Sequence, residues 1–125
     1  MFQLDYGDHR PIYEQIKDKM KELIISGVLK ENDKVPSVRD MAGSLAINPN
    51  TIQKAYRDLE SEGYIYSVRA KGSFVSPKQN VVKKTDTEEF VSEYRLLVEK
   101  LKFLGVEKKL LEEIIDEEYD ERTDS

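Results

Sequence analysis

Apolar residues near the start of the chain recur at steps of three and four: Ile12, Ile16, Met20, Leu23 and Ile24, with Gly27 after them. This spacing predicts an amphipathic helix over residues 11–26, with Pro11 near its first position and Gly27 just past its end. A polar connection, "KENDK", follows Val28 and Leu29. In "PSVRD", Ser37 is a natural N-cap with Asp40 three residues on, which opens a short helix through Met41 and Leu45. Ala46 and Ile47 then make a tight turn. Asn48 caps the next helix, Pro49 takes its first position where a missing N–H costs nothing, and Gly63 ends it.

That third helix carries two unlike faces. Ile52, Ala55, Tyr56 and Leu59 form an apolar stripe that calls for a core, whereas Asn50, Gln53, Lys54 and Arg57 line the other side with hydrogen-bond donors. After Gly63 the periodicity changes. Tyr64, Ile65, Tyr66 and Val68 are strand formers, "RAKG" is a turn, and Phe74 and Val75 resume the strand, so a small hairpin is expected. Helix, short helix, turn, helix and hairpin is the order of a winged helix-turn-helix, in which a recognition helix enters the major groove beside the hairpin wing.

The polar stretch after Ser76 contains Pro77 and reads as a linker over residues 77–85. Phe90, Tyr94, Leu97, Leu101 and Leu104 then step 4, 3, 4, 3, an a/d seam that Val91 and Val98 widen. Asp86 with Glu89 can box its start and Gly105 can end it. A second helix follows with Leu110, Leu111, Ile114, Ile115 and Tyr119 along one side, before the acidic residues 121–125. The fold class expected is therefore mainly α with a small β-hairpin. An N-terminal winged helix-turn-helix occupies residues 1–76 and a C-terminal two-helix hairpin residues 86–120. Two short helices cannot bury so apolar a seam alone, which predicts pairing with a second copy as a homodimer. Phe90, Tyr94, Leu97, Val98, Leu101, Leu104, Leu111, Ile114 and Ile115 are the expected interface.

The net charge of −5 argues against a polyanion partner until it is divided along the chain. Residues 81–125 hold 8 Lys+Arg against 14 Asp+Glu, net −6, whereas residues 34–79 hold 7 against 4, net +3. The hairpin and its neighbouring helices are thus locally basic while the acid is concentrated at the other end. No stretch approaches the roughly 18 apolar residues of a membrane span, and no signal segment follows Met1, so a cytoplasmic protein without membrane contact is expected. Zero cysteines and the single His9 leave no thiolate or histidine metal site. No nucleophile and base pair, glycine-rich phosphate loop or metal spacing stands out, so neither an enzyme nor a cofactor is expected.

"PIYEQI", "SGVLKENDKVPSVRDMA", "NPNTIQKAYRDLESEGYI" and "KGSFV", in that order and spacing, resemble the DNA-binding domain of the GntR family of bacterial transcriptional regulators. The resemblance spans residues 11–76, and the short remainder is similar to the YtrA-like subfamily, with its two-helix dimerisation module. It implies a homodimeric regulator of transcription, a repressor in the first instance, on a palindromic double-stranded operator. Arg39 matches a family arginine that contacts DNA, and Lys71, Gly72 and Ser73 match the wing tip that approaches the minor groove. The recognition helix departs from the commoner pattern, having Pro49 and Gln53 where many members have arginines and Ala46 where glycine is usual. The operator of the commoner members therefore does not transfer. Ala46 costs on the order of 1 kcal/mol if its φ is positive.

Within that frame the donors take separate roles. Asn50, Thr51 and Gln53 sit where a recognition helix reaches base edges, Asn and Gln suiting adenine and the threonine methyl suiting thymine. Lys54 and Arg57, further along, suit phosphates, against the plainer pairings of Lys54 with Asp58 and of Arg57 with Glu60 or Ser61. Arg39 stands at a helix N-terminus, where acids are normally favoured, so another demand must hold it there. Asn48, Arg69, Lys71, Gly72 and Ser73 complete the expected DNA-binding set. Tyr56, Tyr64 and Tyr66 read as packing residues. The alternative is a winged-helix module that binds protein or RNA through the same stripe. A small-molecule effector is left open, and so are the operator and the sense of regulation.

Overall fold

Eight elements follow one another along residues 3–120, the part of the chain that this computed structural model describes. They are α1 (Ile12–Ile25), α2 (Val38–Leu45), α3 (Pro49–Ser61), β1 (Ile65–Val68), β2 (Gly72–Val75), α4 (Lys78–Lys84), α5 (Thr87–Phe103) and α6 (Lys108–Glu118). They divide into two compact units, one ending at Thr85 and the other beginning at Asp86. The acidic end expected at residues 121–125 lies outside the described residues.

Local chemistry sets the boundaries of the first unit. Pro11 is the N-cap of α1, one position earlier than its first-turn assignment, and Gly27 follows the C-cap with φ +84°. Ser37 caps α2 by accepting from the Asp40 N–H at 3.0 Å. Asn48 caps α3 by accepting from the Asn50 N–H at 2.9 Å, with Pro49 as the first helical residue. Between these helices the turn is made by Ala46 in the left-handed region, φ 55° and ψ 44°, so this alanine bears the strain that a glycine there would not.

The core lies where α1, α2, α3 and the hairpin meet. Ile16 and Met20 from α1, Met41 and Ala42 from α2, and Ile65 and Val75 from the hairpin enclose Ile52, Ala55, Tyr56 and Leu59 of α3. Each large aliphatic among these contributes about 1.5–3 kcal/mol by leaving water. Buried Gln15 uses its amide in both directions, accepting from the Asp5 N–H and donating to the Asp5 carbonyl at 2.9 Å each, which ties the N-terminal segment to α1. Lys17 and Lys21 both reach Glu62 at 2.7 Å and close α1 onto the end of α3.

β1 and β2 pair antiparallel, with Tyr66 opposite Phe74 and Val68 opposite Gly72. Residues 32–35 add an edge to this wing: the Asn32 and Val35 N–H groups donate to the carbonyls of Val75 and Ser73, and Lys34 bridges Phe74. The segment read as a linker differs from that expectation. Lys78–Lys84 is a helix, α4, and its first turn lies directly on Gly63, where an added Cβ would sit 2.6 Å from the Asn80 carbonyl oxygen. Gly63 is thus required twice, by that approach and by its φ of +89°. Only Val81 and Val82 mark α4 as more than a polar tract, too few to give a period.

In the second unit, Asp86 caps α5 by accepting from the Glu88 N–H at 3.0 Å, and a turn through Gly105, φ +84°, leads to α6. Neither helix has a buried residue.

Candidate nucleic-acid interface

Burial of Ile52, Ala55, Tyr56 and Leu59 turns the opposite side of α3 outward, leaving Asn50, Gln53, Lys54 and Arg57 exposed and Thr51 half-buried. Asn48 spends its side-chain oxygen on the cap, which leaves its amide N–H groups as the part able to donate elsewhere. The first turn of α3 therefore presents short polar side chains on a helix whose rotation is fixed by four core contacts.

The plainer pairings weighed for the two cations of this face are absent. Asp58 takes Lys17 at 3.4 Å instead of Lys54, whose ammonium lies 4.2 Å from the centre of the Tyr13 ring. Glu60 accepts from the Ser67 N–H at 3.1 Å and so belongs to the hairpin, not to Arg57. Arg39, Arg57, Arg69 and Lys71 are exposed and form no ion pair among the described residues. On α1 the pattern is the reverse: Lys17, Lys19 and Lys21 are matched by carboxylates, and Arg10, just before it, bonds to Asp8 and Asp18.

Two tyrosines hold the frame in place. Tyr56 donates to the Pro36 carbonyl at 2.7 Å, fastening the segment before α2 to α3. Burial pushes its phenol up to about 12. Tyr66 stacks on Phe74 with 5.7 Å between ring centres and donates to Asn32 Oδ1 at 2.8 Å. Both are packing residues, as their spacing implies. At the wing tip, Ala70 has φ 66° and Gly72 φ 112°, and the Ser73 hydroxyl sits 3.4 Å from that of Ser67 across the hairpin. A cation absent from the expected set is also here: the Lys34 side chain runs along the wing, its Cε 3.2 Å from where a Cβ on Gly72 would be.

A core-packed helix with a polar first turn, cations beside it that form no ion pair among the described residues, and a basic hairpin thus lie together in the first unit. The profile of the bacterial regulatory proteins of the gntR family matches residues 12–75. The chain belongs to the GntR family. This GntR-family chain is 39% identical over 118 residues to the HTH-type transcriptional repressor YtrA of Bacillus subtilis (strain 168), covering 94% of the chain and 91% of YtrA. The likeness to YtrA therefore includes α5 and α6 as well as the winged helix. Among solved structures, YtrA from Sulfolobus acidocaldarius, a GntR-family transcription factor, superposes with a TM-score of 0.60 at 36% identity, covering 78% of this chain and 97% of that one. The DNA-binding domain of AraR in complex with operator ORE1 gives a TM-score of 0.53 at 30% identity, over 61% of this chain and 93% of that domain.

The C-terminal candidates occupy the second unit. Phe90, Tyr94, Leu97, Leu104, Ile114 and Ile115 are open to solvent, and Val98, Leu101 and Leu111 are half-buried. The apolar surface of α5 is wider than the a/d seam, because Leu96 and Phe103, one heptad apart, are 58% and 89% exposed on another side of the helix. Heptad spacing draws attention to the seam and away from this pair.

Proposed function

We propose that the chain is a cytoplasmic, homodimeric, sequence-specific DNA-binding regulator that represses transcription by occupying a palindromic operator. The observation that carries this reading is the state of α3. Its apolar stripe is fully used by the core, and its outward stripe of Asn50, Gln53, Lys54 and Arg57 has no carboxylate partner among the described residues. Asn50, Thr51 and Gln53 then meet base edges in the major groove, while Arg39, Lys54 and Arg57 meet phosphates. Asn48 lies beside the base-reading turn, and Arg69, Lys71, Gly72 and Ser73 bring the wing to the neighbouring groove. The likeness to an operator-bound AraR domain supports this placement.

Homodimerisation follows from the second unit, whose apolar residues have no core of their own and are completed by the same residues of a second copy. Two-fold symmetry makes the operator palindromic, with half-site centres about 34–36 Å apart or at multiples of that. The chain acts by binding, without catalysis, and among the described residues no cluster of His, Asp or Glu is placed to hold a metal ion.

Selection of bound duplexes from random DNA tests this. A palindrome is expected from the wild type, with half-site preference relaxed in Asn50→Ala and Gln53→Ala. A folded dimer that enriches no sequence would move the donor stripe to a protein or RNA partner.

A further inference from the structure

We infer that Lys34 is a phosphate-binding residue that joins the wing to the start of α2, so that Lys71, Lys34 and Arg39 form one cationic ridge along the DNA backbone. This rests on the DNA-binding reading above and adds a contact that neither the helix stripe nor the wing turn contains.

The backbone at Lys34 is held on both sides. Asn32 donates to the Val75 carbonyl at 2.9 Å, Val75 donates to that of Asp33 at 2.8 Å, and Val35 donates to that of Ser73 at 3.0 Å. Val35 is buried in the core, so strand alternation stands Lys34 on the outer face. Beyond Val35, the Tyr56 hydroxyl fixes Pro36, and Ser37 caps the helix on which Arg39 stands. Lys34 is therefore a flexible side chain on an ordered base, lying between two residues already expected at DNA, Lys71 of the wing and Arg39.

Its stem lies along Gly72, with Nζ 3.8 Å from the position of a Cβ there. Gly72 thus does more than permit a φ of 112°: it leaves the groove in which the lysine lies. Lys34 forms no ion pair among the described residues, although Asp33 is its neighbour in sequence; the Asp33 carboxylate accepts instead from the Lys30 N–H at 2.8 Å. Several unpaired cations on one ridge repel one another and gain only when an anion arrives. An ammonium is a point charge without a planar fork, so its contribution falls on affinity and salt dependence, not on base preference.

The test is the salt dependence of operator binding by the full chain for wild type, Lys34→Gln, Lys34→Arg and Lys109→Gln, the last removing an equal charge from α6. Each lost phosphate contact lowers the slope of log K against log salt by about 0.9, so Lys34→Gln should lower it by about 1.8 in a dimer. Lys34→Arg and Lys109→Gln should keep the wild-type slope, and every variant should select the same sequence. An unchanged slope in Lys34→Gln, or an equal drop in Lys109→Gln, would overturn the assignment. Failure of the DNA reading itself is distinguishable, because the wild type would then select no sequence at any salt concentration.

Discussion

The two units of this chain use apolar residues in opposite ways. In the first, Ile16, Met20, Ile52 and Leu59 are sealed within one core and the outward stripe of α3 is polar. In the second, α5 and α6 bury nothing fully, and Phe90, Tyr94, Leu97, Leu104, Ile114 and Ile115 stay open. Exposure of that extent marks an interaction surface, whereas the first unit encloses a core of its own. One region is a finished scaffold that presents donors, and the other, on the reading proposed above, is half of an interface. On that reading specific operator binding needs both, because a single half-site offers half the contacts.

The strongest way to break this contrast is to charge the seam. Leu97→Asp or Leu101→Asp should dissociate the dimer and reduce operator affinity about 1,000-fold or more, to the non-specific level, with the winged helix still folded. Titration of labelled operator together with circular dichroism checks both halves of that statement. Cutting into the finished core should do the reverse. Leu59→Ala should cost roughly 2–5 kcal/mol of stability in denaturant unfolding, because Leu59 is fully buried in the core of the first unit.

A pH scan sharpens the same contrast. The folded phenol of Tyr56 titrates at about 12, against about 10 in an unfolded chain. The native state thus keeps a proton that the unfolded state releases, so this contribution is complete below pH 10 and is lost between pH 10 and 12. The loss is on the order of 2 kcal/mol, and Tyr56→Phe should abolish it while costing about 1 kcal/mol near neutrality for the bond to Pro36. Smaller still is Ala46→Gly, which should relieve the left-handed turn and stabilise by up to about 1 kcal/mol, read as a shift of the urea midpoint.

The smallest effect expected is at Glu62. Burial pushes its carboxyl up, but the bonds from Lys17 and Lys21 outweigh this and hold it below its ordinary value. Its contribution is therefore present above the ordinary carboxylate range and lost as pH falls through the lowered value. Glu62→Gln should flatten that acid limb by less than about 1 kcal/mol, since the pair is partly open to solvent.

What could be read from the residues was whatever announces itself locally. Ser37, Asn48 and Pro49 mark helix starts, Gly27, Gly63 and Gly105 mark ends, and the two stripes of α3 separate by period alone. The features that escaped depend on contacts between distant parts of the chain. Helix α4 has no apolar period and is placed by its fit to Gly63. Lys34 looks like one more charge in a polar connection until residues 32–35 are seen against the wing. The competition for Lys54 was also settled at a distance, by Lys17 taking Asp58 and Tyr13 taking the ammonium. Leu96 and Phe103 escaped because they lie beside the 4, 3, 4, 3 steps of the seam and not on them.

Sedimentation equilibrium of the full chain and of Leu101→Asp, across a range of concentrations, tests most directly whether the second unit is half of an interface. A wild-type mass of twice the 14.5 kDa chain, falling to one chain in the variant, is expected. A wild type that remains a monomer at the concentration where it binds its operator, or a variant that remains a dimer, would contradict it.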